Sequence, residues 1–190
     1  MTEQQDRRGQ IVATAAEMFA RKGVRSTTVR EIGDAVGILS GSLYHYFASK
    51  DDLVEEIMMS FLDAIRARYT AVLARGLSPA ESLRALVGAS LQLAVQRPDA
   101  TALYQNEVRY LREEPRFAKV REATAEVQDA WLGVIEQGVA DGSFRSDVAP
   151  RVFHRLIRDA VWLSGRGRSD IDELADAITT IFLDGFAARS

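Results

Sequence analysis

Helix-start signals are the feature of this sequence that most restricts its fold. Thr28-Val29-Arg30-Glu31 and Ser78-Pro79-Ala80-Glu81 both have the pattern of a capping box. In a capping box, the first hydroxyl accepts a main-chain N–H of the first helical turn, and the glutamate accepts the N–H of the capping residue. Proline at the first helical position strengthens the second signal. Such regular signals indicate a chain of helices.

The remaining helix boundaries follow from the positions of glycine and serine. Gly23 and Gly37 are expected to end helices, and Ser40 and Ser49 to begin them. No segment shows the sustained two-residue alternation of a strand, so we expect no sheet. The sequence predicts an all-α fold of nine helices, approximately over residues 7–22, 28–37, 40–47, 50–75, 78–96, 98–114, 115–140, 150–165 and 170–188.

Composition restricts the class of protein further. Hydrophobic residues make up 47% of the 190 residues and charged residues 27%, which is an ordinary globular balance and excludes a disordered chain. No apolar run approaches the roughly 20 residues that span a bilayer. The polar N-terminal segment also lacks the apolar core of a secretion signal.

The sequence contains no cysteine and only two histidines, His45 and His154. These counts exclude disulfides, thiolate metal sites, cysteine nucleophiles and a multi-histidine metal centre. We therefore expect a protein of the reducing cytoplasm that holds no metal and no cofactor.

Charge is unevenly distributed along the chain. Residues 1–50 contain seven Lys and Arg against five Asp and Glu, a net charge of +2, and the other 140 residues contain 17 against 22, a net charge of −5. The overall net charge of −3 therefore does not argue against a nucleic-acid surface near the N-terminus. We place the boundary between the two regions near residue 50.

Residues 29–47 have the spacing of a helix-turn-helix. Gly33 is small where the second helix has to approach the first closely, and Gly37 lies at the turn, where glycine adopts a positive φ angle without strain. Four apolar residues are expected to form the small core of the motif: Ile32, Val36, Leu43 and Phe47.

The second helix of this motif is expected to expose Ser40, Gly41, Ser42, Tyr44, His45 and Tyr46. Small and hydroxyl residues allow close approach to phosphates or base edges, and Lys50 follows where it can pair with a phosphate. The alternative is an ordinary helical corner with aromatic residues in its core. Because neighbours on a helix diverge by about 100°, the two tyrosines and the histidine cannot all face inward, and the pattern favours DNA binding.

The span TTVREIGDAVGILSGSLYHYFASKDDLV resembles the N-terminal region of the TetR family of one-component transcriptional regulators. The residues that match are Ala16, Phe19, Gly23, Thr28, Ile32, Ala35, Gly37, Ser40, Gly41, Ser42, Leu43, Tyr44, Tyr46, Phe47, Lys50 and Leu53. The resemblance implies a helix-turn-helix DNA-binding domain over residues 1–50 and a helical ligand-binding and dimerisation domain over residues 51–190.

This resemblance also implies a homodimer formed by the last two helices, which binds a palindromic operator in double-stranded DNA and releases it when a small molecule binds. Among the implied DNA contacts, Arg30 is expected to reach a base, because arginine can bond a guanine edge bidentately. By position, the implied DNA-contacting residues are Thr28, Arg30, Ser40, Ser42, Tyr44, His45, Tyr46 and Lys50.

One helix of the C-terminal region has a polar stripe. Arg158, Trp162 and Arg166 fall at i, i+4 and i+8 and share one face. Two arginines around an indole suit a large anion with a flat ring, because arginine binds phosphate or carboxylate and indole stacks on rings. The alternative is structural: Arg158 pairs with Asp159 or with an acid of a partner subunit, and Trp162 anchors a dimer interface.

A second polar patch, Tyr104-Gln105-Asn106-Glu107, interrupts a helix. Gln105 and Glu107 cannot share one face, and any of these side chains that is buried needs a partner, which a ligand could supply. A solvated face is an equally good interpretation. We expect Trp131 in the core and His154 in a structural or interface role.

Beyond residue 50, the chain resembles a narrower TetR branch, the actinobacterial repressors of sterol catabolism that sense a CoA thioester of a ring-degradation intermediate. The matching blocks are GILSGSLYHYFASK, Tyr104-Gln105 with Glu107, Pro115-Arg116-Phe117, Trp131, Gly142 with Phe144 and Arg145, and LIRDAVWLSGR. The resemblance implies that Arg158, Trp162 and Arg166 contact a CoA-linked ligand, with Tyr104 and Gln105 as further candidates. Residues 167–170 depart from that branch, so a branch that controls fatty-acid degradation through acyl-CoA is the alternative.

Two other classes of function compete with a DNA-binding repressor. The first is a helical enzyme that acts on an acyl thioester. The sequence offers it no cysteine, P-loop, zinc-type histidine pair or dinucleotide fingerprint, so a carboxylate base such as Glu107 is the only catalytic group left. A helical adaptor that binds protein through residues 1–50 is the third class. We expect the repressor, with the helix that starts near Ser49 joining its two domains.

Overall fold

The computed structural model describes residues 3–164 and 170–186, and all regular secondary structure in these ranges is helical. They contain ten α-helices and one short 3-10 helix, Pro115–Phe117. The all-α prediction is therefore confirmed. The α-helices are α1 Glu3–Lys22, α2 Val29–Val36, α3 Ser40–Leu43, α4 Lys50–Leu73, α5 Pro79–Gln96, α6 Pro98–Asn106, α7 Val108–Glu113, α8 Ala118–Ala140, α9 Pro150–Ser164 and α10 Ile171–Phe186.

The difference between nine predicted and ten observed helices lies at Glu107. The segment 98–114 was predicted as one helix, whereas the structure divides it into α6 and α7. Glu107 has φ −103° and ψ 16°, which departs from the values near −63° and −42° of an α-helix. The polar patch that interrupts the hydrophobic pattern therefore coincides with a break in the main chain.

Both capping boxes are present. Thr28 Oγ1 accepts the N–H of Glu31 at 3.2 Å, and Glu31 Oε2 accepts the N–H of Thr28 at 2.8 Å. Ser78 and Glu81 repeat this arrangement at the start of α5, with N···O distances of 3.4 and 3.0 Å. The hydrogen bond from Lys22, followed by those from Thr28, lowers the pKa of Glu31 to about 2.

The described residues form two units. The N-terminal unit contains the residues up to Phe61 together with Asp99–Glu122, and the C-terminal unit contains Leu62–Pro98 together with the described residues from Ala123 onward. The segment 99–122 thus folds with the N-terminal residues, although it lies far along the sequence. The α4 helix begins in one unit and ends in the other.

The core of the N-terminal unit follows the predicted helical spacing. In α1 the buried residues include Ile11, Ala15 and Phe19, and α2 packs against both α1 and α3. In α4 the row at i, i+4 spacing is buried: Leu53, Ile57 and Phe61 are at most 3% exposed. Phe61 also contacts the ring of Tyr104 in α6 at a centroid distance of 5.4 Å.

The C-terminal unit continues the same row with Ile65 and Tyr69, which are both buried. The hydroxyl group of Tyr69 lies 2.6 Å from Ser90 Oγ in α5, and its ring meets Trp131 of α8 edge-on at 6.0 Å. The prediction that Trp131 lies in the core is confirmed. Helix α10 packs against α5 and α9. Among the described helices, none is long and apolar enough to cross a membrane.

Candidate functional site

The turn between α2 and α3 has the close packing that the two glycines predicted. Gly37 adopts φ 72° and donates its N–H to Asp34 O at 3.2 Å. A Cβ atom at Gly33 would lie 3.0 Å from Ile38 O, so a larger residue would push the two helices apart. The N–H of Ile38 donates to Gly33 O at 2.9 Å. These contacts confirm the helix-turn-helix geometry.

The second helix of the motif is shorter than expected. The α-helix ends at Leu43, and the chain continues to Phe47 in turns. In these turns, the N–H groups of Tyr46 and Phe47 donate to Leu43 O at 2.9 and 3.1 Å. The predicted small core is confirmed, because Ile32, Val36, Leu43 and Phe47 are all at most 5% exposed.

The residues of the motif that do not enter this core face outward. Tyr44 is 55% exposed and His45 and Gly41 are also exposed, while Ser40, Ser42 and Tyr46 are half-buried. The alternative in which all the aromatic residues fill the core is therefore excluded for Tyr44 and His45. This face offers hydroxyl groups, an imidazole and a flat phenol ring to a partner.

Thr28 and Arg30 lie at the start of α2 and are exposed. The Thr28 hydroxyl group takes part in the capping box, where it also lies 2.9 Å from Glu31 Oε2. The Arg30 side chain is 86% exposed, and its nearest carboxylate, that of Asp34, lies 3.9 Å away. Arg30 is therefore free to extend toward a partner of the helix-turn-helix.

Lys50 has an internal role that sequence reasoning did not predict. Its ammonium group donates to Val24 O at 2.7 Å and to Thr27 O at 2.8 Å. These bonds tie the start of α4 to the turn between α1 and α2. An ammonium group has three donors, so one hydrogen stays available beyond these two bonds.

Arg8 is a second residue that the sequence analysis missed. Its guanidinium group donates to Tyr46 O at 2.6 Å, bonds the carboxylate of Glu56, and lies 4.1 Å from the centroid of the Phe47 ring. It thereby holds the main chain that follows α3. The contact joins residues 38 positions apart, and no local sequence pattern indicates it.

The polar patch and the segment that follows it bond to the turn before α2 and to the start of α4. Glu107 Oε1 accepts the N–H of Val24 at 2.8 Å. Tyr110 donates its hydroxyl group to Asp51 at 2.5 Å, and Arg116 donates to Asp52 at 2.5 Å. The alternative interpretation of the patch as a solvated face is wrong for Glu107, because its carboxylate accepts a main-chain hydrogen bond.

Burial and the hydrogen bonds near the start of α4 shift two pKa values. Burial, followed by the hydrogen bond to Asp51, raises the pKa of Tyr110. Burial acts to raise the pKa of Asp52, but the hydrogen bonds from Arg116 and Ser49 outweigh it and hold the pKa below its usual value. Asp52 and Arg116 are therefore a charged pair throughout the neutral pH range.

The residues expected to contact a ligand lie in both units. Tyr104 and Gln105 are half-buried in α6 of the N-terminal unit, and Trp162 is 8% exposed in α9 of the C-terminal unit. Arg158, also in α9, bonds the carboxylate of Asp159 at 3.0 and 2.7 Å, the pairing that the structural alternative predicted. Arg166 and residues 167–169, which depart from the sterol branch, lie outside the described residues.

His154 is buried in α9, at 5% exposure, and its ring lies 6.0 Å from that of Trp131. Burial, followed by the positive charge of Arg158, lowers its pKa to about 4. At neutral pH this imidazole is uncharged and packed within the unit. No cluster of three or more His, Asp or Glu side chains in residues 3–164 and 170–186 is arranged to hold a metal ion.

A helix-turn-helix with an outward-facing second helix, joined to a larger helical unit, defines a DNA-binding regulatory protein. Models of two families match the chain: "Bacterial regulatory proteins, tetR family" over residues 11–57 and "Tetracyclin repressor-like, C-terminal domain" over residues 76–186. The chain belongs to the TetR family of bacterial regulators. This family consists of transcriptional regulators and not of enzymes.

Similar proteins cover nearly the whole chain. The HTH-type transcriptional repressor KstR2 of Rhodococcus jostii is 42% identical over 187 residues, which is 96% of this chain and 92% of that protein. The solved structure of the ketosteroid transcriptional regulator KstR2 of Mycobacterium tuberculosis is 37% identical, with a TM-score of 0.87 and 96% of each chain covered. A probable transcriptional regulatory protein, RHA5900, is 42% identical at a TM-score of 0.83, and the match covers 96% of this chain and all of that one.

Proposed function

We propose that this protein is a transcriptional repressor that binds a palindromic operator as a homodimer and releases it when a CoA thioester from sterol or lipid catabolism binds. The observation on which this proposal mainly rests is the outward-facing surface around α3, with Tyr44 55% exposed above a well-packed helix-turn-helix core. We place this repressor in the cytoplasm, where it has access to chromosomal DNA.

The proposed DNA interface combines positioning and reading contacts. Ser40, Ser42 and Tyr46 bond phosphates with hydroxyl groups, and Lys50 neutralises a phosphate with its remaining donor, which fixes the register of the protein on the duplex. Arg30 and Tyr44 extend toward base edges in the major groove. The full set is Thr28, Arg30, Ser40, Ser42, Tyr44, His45, Tyr46 and Lys50.

The proposed dimer interface lies on α9 and α10. Val152 and Leu156 of α9 are 41% and 52% exposed, and Ile181 of α10 is 71% exposed. Apolar side chains grouped on two adjacent helices are typical of a surface that a partner covers. A second copy of the chain buries them in an isologous contact and brings two helix-turn-helix motifs to one palindrome.

The proposed effector is a large anion with an apolar acyl or ring portion. Arg158 lies beside Trp162 in α9, and an arginine next to an indole suits phosphate or carboxylate together with a flat group. The similarity to a relative named as a ketosteroid transcriptional regulator, at 37% identity, favours a sterol-derived CoA thioester over a simple fatty acyl-CoA. Arg166 in the C-terminal region, and Tyr104 and Gln105 in the N-terminal unit, are further proposed effector contacts.

Release requires the effector to favour a state of the dimer that fits the operator poorly, since only differential affinity moves such an equilibrium. The α4 helix is the proposed lever, because it is continuous from Lys50 to Leu73 and contributes residues to both units. Its first turn also holds the turn before α2 through Lys50. A small displacement of this helix therefore changes the setting of the helix-turn-helix.

DNA binding is tested by selecting an operator from pooled oligonucleotides and measuring its affinity by fluorescence anisotropy. We expect Tyr44→Ala and Arg30→Ala to weaken binding by at least tenfold. Arg112→Ala, which removes an exposed arginine of α7 outside the helix-turn-helix, is the matched control and should bind as the wild type does. Failure to select any operator, or equal affinity of all four proteins, would reject the proposal.

Effector binding is tested by thermal-shift screening against steroid-CoA and acyl-CoA species, with the change measured from the unliganded Tm of each variant. We expect one class of CoA thioester to raise the Tm of the wild type and to release the operator. Arg158→Met and Trp162→Leu should lose this shift, whereas Arg155→Met, on an exposed part of the same helix, should keep it. Equal shifts in all proteins would assign Arg158 and Trp162 a structural role only.

A further inference from the structure

Leu39 is the most exposed large apolar side chain in the described part of the chain, at 80% exposure. It lies between the turn glycine Gly37 and the first residue of α3, Ser40. A single exposed leucine is common on protein surfaces. Its position is therefore more informative than its exposure.

Leu39 occupies the N-cap of α3 and makes no side-chain capping bond. Ser, Thr, Asp and Asn are strongly preferred at this position because their oxygen atoms accept a free N–H of the first turn. The same chain uses Thr28 and Ser78 in complete capping boxes at α2 and α5. At α3, the N-cap residue is a leucine, which cannot supply the capping hydrogen bond. Departures from a local structural preference of this kind are expected at functional contacts.

The main chain around Leu39 is held on both sides. Ile38 N–H donates to Gly33 O, and Leu39 O accepts the N–H of Ser42, both at 2.9 Å. Leu39 is extended, with φ −63° and ψ 141°, and neighbouring side chains on extended backbone point to opposite sides. Ile38 is accordingly half-buried while Leu39 projects outward. The exposed leucine is thus presented from a fixed turn.

We propose that Leu39 recognises the 5-methyl group of a thymine in the major groove of each operator half-site. This inference rests on the proposed DNA-binding function and adds a base-reading residue to it. Among the groups that base pairs present in the major groove, the thymine methyl is the apolar one, whereas cytosine presents an amino donor. Leu39 has no hydrogen-bonding group, so it matches the methyl and leaves a cytosine amino group without an acceptor.

The position of Leu39 in the motif also suits this contact. Residues at the N-terminal end of a recognition helix reach base edges, and Leu39 directly precedes that helix. Its neighbour Ser40 can bond a phosphate, and the hydroxyl group of the exposed Tyr44 side chain can bond an adjacent base edge. The aliphatic side chain then selects one base by shape and methyl contact.

The test uses the full-length protein and an operator selected from pooled oligonucleotides. Each thymine is replaced in turn by deoxyuridine, which removes only the 5-methyl group, and Kd is measured for the wild type and for Leu39→Ala. Burial of one methyl corresponds to about 0.8 kcal/mol, so we expect one replacement per half-site to weaken wild-type binding about fourfold. The same replacement should leave the affinity of Leu39→Ala unchanged.

Two further variants define the outcome. Leu39→Met keeps an apolar end and should retain the sensitivity to deoxyuridine, and Leu73→Ala, at a 41% exposed leucine late in α4, should retain it in full.

If an operator is bound but no thymine shows a methyl effect that depends on Leu39, the inference is wrong while the repressor proposal stands. If Leu39→Ala instead alters the oligomeric state and leaves the methyl effect intact, Leu39 contacts another protein surface. If no operator is selected, both proposals fail.

Discussion

The carboxylate of Glu107 accepts the main-chain N–H of Val24 at 2.8 Å, across 83 positions of the sequence. Val24 is completely buried in the turn between α1 and α2, and its carbonyl oxygen accepts from Lys50. Side chains from distant parts of the chain therefore satisfy both polar groups of this residue. A buried main-chain group that loses its partner costs about 1–3 kcal/mol.

We expect Glu107→Ala to lower the free energy of unfolding by about 1–3 kcal/mol, because the N–H of Val24 is then buried without an acceptor. Glu107→Gln should keep most of the stability, since its amide oxygen can still accept. Urea denaturation of both variants measures the difference. Glu122→Ala, at an exposed position of α8, is the control, and equal stability of all variants would show that the bond contributes nothing.

Lys50→Met should affect both stability and DNA binding. Loss of two bonds from a charged donor to main-chain oxygens is expected to destabilise the protein by about 1.5–3 kcal/mol. If the remaining donor neutralises a phosphate, the slope of log K against log salt concentration should fall by about 0.9 for each protomer. Chemical denaturation and anisotropy titrations at several salt concentrations measure the two effects separately.

The control for this prediction is Lys119→Met, which removes an exposed lysine of α8. It should change neither the free energy of unfolding nor the salt slope. A destabilised Lys50→Met protein with an unchanged salt slope would restrict Lys50 to its structural role at the start of α4.

Two glycines of α8 should respond in opposite ways to alanine. A Cβ atom at Gly138 would lie 2.2 Å from Cδ2 of Phe144, whose side chain is buried, whereas nothing lies within 4 Å of a Cβ atom at Gly133. Gly138→Ala should therefore destabilise the protein by about 1–3 kcal/mol through overpacking. Gly133→Ala should stabilise it by up to about 1 kcal/mol, because alanine favours the helix.

Thermal and urea denaturation of the two glycine variants check this contrast. The same substitution in one helix gives an internally matched pair, so helix propensity alone predicts two equal, stabilising effects. Equal effects would mean that Phe144 moves aside without cost.

Stability should decrease in mild acid because of His154. Its pKa is about 4 in the folded protein and about 6.5 in an unfolded chain. Below pH 6.5 the unfolded state therefore binds a proton that the folded state does not, so the stabilisation is complete above pH 6.5 and is lost as the pH falls toward 4. The total loss is about 3 kcal/mol.

The measurement is the free energy of unfolding between pH 7 and 5, a range in which most carboxylates stay ionised in both states. The wild type should approach a slope of about 1.4 kcal/mol per pH unit. His154→Phe keeps a ring beside Trp131 without the titration, and its slope should be much smaller. Parallel curves for the two proteins would mean that other groups cause the acid sensitivity.

Local signals made most of the fold predictable. Thr28 and Ser78 begin helices because their capping boxes are complete within four residues, and Gly37 ends one because it adopts a positive φ angle. The buried row Leu53, Ile57 and Phe61 follows directly from helical periodicity. The sequence predicted one helix over 98–114, although its polar patch marked the position of the break. It did not indicate the bond from the Glu107 carboxylate to Val24, which lies 83 positions earlier in the chain.

The candidate DNA surface was predictable in part. The sequence indicated that Tyr44, His45 and Tyr46 could not all face inward, and Tyr44 and His45 are exposed. It did not indicate that Lys50 bonds Val24 and Thr27, or that Arg8 holds the main chain at Tyr46. Leu39 was also missed, because a leucine among hydroxyl residues carries no signal until its exposure is known.

The sequence by itself determined the helical class, the helix-turn-helix and the outward-facing second helix, since these depend on interactions within a few residues. Only the tertiary structure decided which polar and charged side chains already have partners inside the protein. It placed Glu107, Tyr110 and Arg116 against residues near α1 and α4, and left Arg30 and Leu39 exposed. Contacts of this kind depend on how distant segments pack together. Composition and helical periodicity describe short stretches of sequence, so they do not indicate which distant side chains will meet.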